Sequence, residues 1–234
     1  MDWLRERPIA HRGLHSDRVP ENSLPAFEKA ASAGYPAELD VRVTADGVPV
    51  VFHDRNLDRL TGRTGAVRNT RWDELADCTL LDSDETVQRL DTVLDVVDGE
   101  VPLLIELKNT NRPGKLERAV ASCLDDYGGD FAIQSFNPLA LWWFRRHRSE
   151  WARGQLAPLA LGSGLLSRTV LKYLVPSVYT NPDFVGYGCN MLPKLPFSRG
   201  NKERHVLAWT VRSEDTLNQI EPHVDNVIFE AIRP

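Results

Sequence analysis

The chain has 234 residues, of which 42% are hydrophobic and 26% charged, with a formal net charge of −5. That composition suits a globular protein with a substantial core, and its acidic balance argues against a dedicated nucleic-acid binder. No apolar run is long enough to be a membrane span, and Met1–Gly13 lacks the layout of a signal peptide.

Cys78, Cys123 and Cys189 are odd in number and form no CxxC pair. Neither a disulfide framework nor a thiolate zinc site is expected, and free thiols in a reducing cytoplasm are the simpler reading. No linker, low-complexity tract or repeat divides the chain, so a single domain over 1–234 is expected.

In chain order, strand-like runs fall at 8–12, 37–44, 48–53, 102–108, 131–136, 155–161, 184–189, 206–211 and 226–230. Helical patterns lie near 23–33, 90–98, 115–127, 138–148, 165–174 and 214–222. Alternation of the two predicts an α/β fold with a parallel sheet and covering helices.

Only Ala45-Asp46-Gly47 separates the second and third runs, too little for a parallel crossover. Asp-Gly favours a two-residue type I′ hairpin turn. Counting the hairpin at about 37–54 as one strand with an extension leaves eight strands, as a (β/α)8 TIM barrel requires. The two-residue turn would place Val41 opposite Phe52 and Val43 opposite Val50, as one apolar face. Asp40 would then lie opposite His53, with Glu38 on the same side.

Polar residues recur at strand ends. His11-Arg12 follow an apolar start; Glu106 and Lys108 lie two apart on one strand face; Gln134 and Ser135 end another run. Charge inside a buried strand is costly unless it is paired or binds an ion, and the carboxyl ends of barrel strands are where active sites are built. Glu38, Asp40 and Glu106 offer three oxygen donors, a set that favours Mg²⁺, Ca²⁺ or Mn²⁺. His11 and His53 can exchange protons near neutral pH. Arg12 and Lys108 suit an anionic phosphate ester.

These motifs resemble the glycerophosphodiester phosphodiesterase family of phospholipase-C-like TIM barrels. The matching pieces are AHRG (10–13), PENS (20–23), ELDV (38–41), TADGVPVVFHD (44–54), LDRLTGRTG (57–65), IELK (105–108), QSF (134–136) and AWT (208–210). The resemblance implies His11 and His53 as the acid/base pair, and Glu38, Asp40 and Glu106 as ligands of one divalent cation. It implies Arg12 and Lys108 as phosphate-binding cations, with Glu21 and Asn22 in support. Phe136 and Trp209 would line the mouth, and a small insertion would follow the hairpin. Residues 162–202 match least and are expected to shape the alcohol side of the pocket. The family's closing Thr-Asp pair is replaced by Phe229-Glu230, which leaves the role of the C-terminal end open.

The reading is of a cytoplasmic enzyme of lipid and glycerol metabolism, hydrolysing small glycerophosphodiesters to glycerol 3-phosphate and an alcohol. The alternatives are a lysophospholipase D acting on lysolipids and a catalytically silent sugar-phosphate binding protein. His147, His205 and His223 are read as structural or solvated, and His15 as a residue of the loop after the first strand. The helix carrying Leu139, Trp142 and Trp143 is read as a partly packed barrel cover rather than a lipid-surface anchor.

Overall fold

The computed structural model describes residues 1–109, 112–157, 177–192 and 204–234. The predicted helix at 165–174, the end of the strand candidate 155–161 and much of 162–202 lie outside them.

Eight parallel strands close into a barrel: β1 (Ile9–Ala10), β2 (Ala37–Val43), β5 (Leu103–Leu107), β6 (Phe131–Ser135), β7 (Arg153–Leu156), β8 (Phe184–Gly188), β9 (His205–Val211) and β10 (Asn226–Phe229). Closure comes from β1, which pairs with β10 on one side and with β2 on the other. Two short strands, β3 (Pro49–Val51) and β4 (Gln88–Arg89), extend antiparallel from β2. Between them lie two one-turn helices, Asp58–Thr61 and Trp72–Leu75, which form the expected insertion. The architecture is the expected TIM barrel.

The strand pleat divides the residues into two sets. Ala37, Leu39 and Val41 of β2, with Leu103, Ile105 and Leu107 of β5, pack outward into the main core. The outer side of that core is supplied at helical spacing by Phe27 and Ala30 of Leu24–Ser32, by Val93, Leu94 and Val97 of Leu90–Val97, and by Leu116, Val120 and Leu124 of Lys115–Leu124. The alternate positions point into the barrel. At its amino-terminal end these are Ile9, Leu104, Ala132, Phe184, Leu207 and Ile228, packed with Trp3 and Leu4. Each fully buried Leu, Ile or Phe side chain stabilises the fold by about 1.5–3 kcal/mol. Two residues further along the same faces the barrel becomes polar, with Leu104 giving way to Glu106 and Ala132 to Gln134.

Strand β7 begins two residues before its predicted start. Within it Gly154 leaves room for Phe184, since a Cβ there would lie 2.0 Å from the Phe184 ring. The missing side chain is what lets Phe184 fill the barrel.

The hairpin forms in a different register from the expected one. Val41 pairs with Val51, Arg42 with Val50 and Val43 with Pro49. The amide of Thr44 donates to the Val48 carbonyl at 3.0 Å, so the loop is the three residues Ala45-Asp46-Gly47, with Gly47 at φ +100°. Asp46 accounts for the extra residue, because its carboxylate accepts from Thr44 Oγ1 at 2.6 Å and from the Trp72 amide at 3.1 Å. The one-residue slip places Phe52 opposite Asp40 and separates the supposed single apolar face. Val41 stays in the main core. Val50 and Phe52 pack under the insertion with Leu57, Leu60, Val67, Leu75 and Leu80.

Candidate active site

A cleft of about 820 Å³ opens at the carboxyl ends of the strands. His11, Arg12, Glu38, His53, Glu106, Lys108, Phe136 and Trp209 all line it. Asp40 lies beneath, fully buried, and Glu21 and Asn22 stand behind it in the loop after β1. All eleven residues expected from sequence therefore converge on one end of the barrel.

The carboxylates of Glu38, Asp40 and Glu106 each offer an oxygen within 4.8 Å of the others. Asp40 is the most heavily compensated. Lys108 Nζ lies 2.9 Å from its Oδ1, Arg12 Nε lies 3.2 Å from Oδ2, and Asn22 Nδ2 donates to Oδ2 at 2.9 Å. Burial alone would raise its pKa, but Lys108 and Arg12 outweigh burial and hold Asp40 ionised far below the carboxylate range. Lys108 also contacts Glu106 Oε1 at 2.7 Å. Among the described residues Glu38 accepts only a backbone hydrogen bond, from the Arg12 amide at 2.9 Å. Burial, then the charges of Asp40 and Glu106, push its pKa well up. Burial also raises Glu106 despite Lys108. The triad is thus short of positive charge, and an oxygen-only donor set of this kind fits a hard divalent cation.

Each proposed proton-transfer histidine is held by its own carboxylate. His11 Nδ1 lies 2.7 Å from Glu230 Oε2, and His53 Nδ1 lies 2.7 Å from Asp54 Oδ1. Glu230 is drawn down to about 2, chiefly by that hydrogen bond from His11, with Arg212 adding to it. An ionised carboxylate only accepts, so Nδ1 carries the proton and Nε2 is the atom left for chemistry. Burial lowers the pKa of both histidines, and their acidic neighbours oppose it.

His53 lies beyond the last paired residue of β3, so the strand pleat does not orient it toward Asp40. Arg42 positions it instead, donating to the His53 carbonyl oxygen from Nε at 2.8 Å and Nη2 at 2.6 Å. Arg59 binds Asp54 from Nε at 2.6 Å and Glu21 from Nη2 at 2.7 Å. Glu21 in turn accepts from Arg12 Nη1 at 2.7 Å. One chain of ion pairs therefore joins the support of His53 to that of Arg12.

Sequence reasoning missed Glu230, Asp54, Arg59 and Arg42. Asp54 and Arg59 stand inside matched motifs, HD and LDR, where their roles could have been sought. Glu230 answers what the sequence left open at the C-terminal end, since the residue after the last strand supplies a polar group to His11. Its longer side chain stands just past β10, beside the end of β1, and reaches His11. The loop histidine His15 lies 4.0 Å from the same carboxylate. His147 stacks on Trp143, with ring centroids 4.2 Å apart, in keeping with a structural role. Trp143 packs on the core, whereas Leu139 and Trp142 are exposed. Among the described residues no helix is long and apolar enough to cross a membrane.

The sequence profile of the glycerophosphoryl diester phosphodiesterase family matches residues 11–232. The chain belongs to that family. It is accordingly an enzyme of the phosphoric diester hydrolase class. A glycerophosphodiester phosphodiesterase from Caldanaerobacter subterraneus subsp. tengcongensis is 28% identical over 235 residues, 95% of this chain and 93% of that one. Human glycerophosphodiester phosphodiesterase 1 is 43% identical over 68 residues, which is 29% of this chain and 20% of the human protein. An Oleispira antarctica phosphodiesterase, solved with the product sn-glycerol-3-phosphate, superposes with a TM-score of 0.75. It is 25% identical, and the match covers 95% of this chain and 92% of that one.

Proposed function

We propose that this enzyme hydrolyses glycerophosphodiesters to glycerol 3-phosphate and an alcohol, using one divalent cation, Mg²⁺ or Ca²⁺, and a pair of histidines. The observation that carries this reading is the pairing of His11 with Glu230 and of His53 with Asp54, around a cleft that also holds three buried carboxylates and two cations.

Glu38, Asp40 and Glu106 would hold the ion. When bound, it supplies positive charge to the phosphoryl oxygens. Arg12 and Lys108 draw the diester anion into the cleft and orient it. One histidine accepts the proton of the attacking hydroxyl at Nε2 as the new P–O bond forms. The other gives a proton from Nε2 to the departing alkoxide as the old P–O bond breaks. The attacker is water or the glycerol 2-hydroxyl, and the second route gives a cyclic phosphate first. The full set of titrating groups favours turnover over a silent binding protein.

The test is hydrolysis of glycerophosphocholine, glycerophosphoethanolamine, glycerophosphoinositol and a lysolipid, each with Mg²⁺, Ca²⁺ or a chelator, followed as glycerol 3-phosphate from the three diesters and as lysophosphatidic acid from the lysolipid. Release from the water-soluble diesters that chelation abolishes is expected. Turnover confined to the lysolipid would replace this reading with the lysophospholipase D one.

A further inference from the structure

Gln134 has no place in the machinery described so far. It ends the inward face of β6, next to Glu106 across the sheet, and it lines the cleft. The residue is 2% exposed, yet among the described residues its side-chain oxygen has no hydrogen-bond partner. Two neighbouring donors are spent on the fold: Ser135 Oγ donates to the Leu107 carbonyl at 2.8 Å, and Gln155 Nε2 donates to the Ser135 carbonyl at 3.2 Å. Trp209 Nε1 on the same cleft is, like the Gln134 oxygen, buried without a partner among the described residues. A buried amide oxygen without a partner is costly in the free protein, so its partner is to be sought in what enters the cleft.

The chemistry of the amide narrows the ligand. Its carbonyl repels an anionic phosphate oxygen, which Arg12 and Lys108 already serve. A hydroxyl both donates and accepts, and so matches the amide whichever way it is turned. On the same rim Phe136 and Trp209 meet edge to face, with centroids 5.4 Å apart. These rings would limit the water that competes for such a contact.

We infer that Gln134 binds a hydroxyl of the substrate's glycerol moiety, so that the site selects polyol diesters over diesters without hydroxyls. This deepens the proposed function and rests on it. The experiment compares kcat/KM of wild type, Gln134→Met and Gln134→Leu on glycerophosphoethanolamine and on bis(4-nitrophenyl) phosphate, which carries no hydroxyl. Both variants should lose about tenfold or more on the glycerol diester, because a site built to bond a hydroxyl loses discrimination when that bond is removed. They should change by less than about threefold on the aryl diester and bind divalent ions as tightly as wild type. Methionine nearly conserves length and flexibility, so it keeps the test valid if leucine disturbs folding, which thermal melts would reveal. Equal losses on both substrates, no loss on either, or weakened ion binding would overturn the inference. Wild type that turns over only the aryl diester would instead remove the functional reading, and this inference with it.

Discussion

His11 and Glu230 lie 219 positions apart in sequence and 2.7 Å apart in the fold. The barrel makes that contact by pairing its first and last strands, Ala10 beside Phe229, so that the next residue of each stands at the same rim. The carboxylate fixes the His11 tautomer and favours its protonated form, raising the histidine against the lowering effect of burial.

Glu230→Gln removes that charge, and the His11 pKa should fall further. Whichever limb of the pH–rate profile belongs to His11 must then move to lower pH. Movement of the acid limb would identify His11 as the base, and movement of the alkaline limb would identify it as the acid. A loss of about tenfold or more in kcat/KM should accompany the shift. A profile that stays in place, or moves to higher pH, would remove Glu230 from this role.

The same carboxylates should mark acid unfolding. Glu230 and Asp54 each titrate at about 2 in the fold, against ordinary values of 4.5 and 3.8. A folded-state pKa below the unfolded one contributes stability that is present above the unfolded value and is lost as pH falls through the folded value. The window is therefore about pH 4.5 down to about 2. Partial exposure of both groups limits each contribution to about 1 kcal/mol. Urea midpoints of wild type and a Glu230→Gln/Asp54→Asn variant should converge as pH falls through that window, and parallel curves would contradict the assignment.

Glu38 has the opposite sign. Its pKa is raised by burial and by Asp40 and Glu106, so its contribution to stability is full below about pH 4.5 and is lost as pH rises toward the raised value. Without a divalent ion, Glu38→Gln should melt at or above the wild-type temperature at pH 7. Added Mg²⁺ or Ca²⁺ should stabilise wild type and have much less effect on the variant. Equal ion-induced shifts in Tm would argue against Glu38 as a ligand.

Arg59 is half exposed, yet it spans Asp54 and Glu21 with a two-pronged contact to each. Arg59→Ala should lower kcat by about tenfold with the fold intact, and Arg59→Lys should restore little, because an ammonium cannot copy the planar fork. Full rescue by lysine would reduce Arg59 to a source of bulk charge.

Much of this was legible in the sequence. The strand pleat explains why ELDV and IELK place Glu38, Asp40 and Glu106 on one inward face, and the shortness of the Ala45-Asp46-Gly47 link gave a hairpin. The hairpin register was not legible from local turn chemistry. It depends on Asp46 accepting from Trp72, a contact made only once the insertion has folded. Glu230 was hidden for a related reason: nothing in VIFEAIRP shows that the barrel will close its last strand against His11. Interactions set by pleat and spacing could be read directly, whereas those set by closure needed the fold.

The central claim is that His11 and His53 move protons in a metal-assisted hydrolysis of glycerophosphodiesters. It is tested most directly by measuring glycerol 3-phosphate release from glycerophosphoethanolamine by wild type, His11→Ala and His53→Ala, with divalent ion and with chelator. Release by wild type alone, lost on chelation, with both variants folded and slower by about a hundredfold or more, is the predicted result. Wild-type rates in either folded histidine variant, or in the presence of chelator, would contradict it.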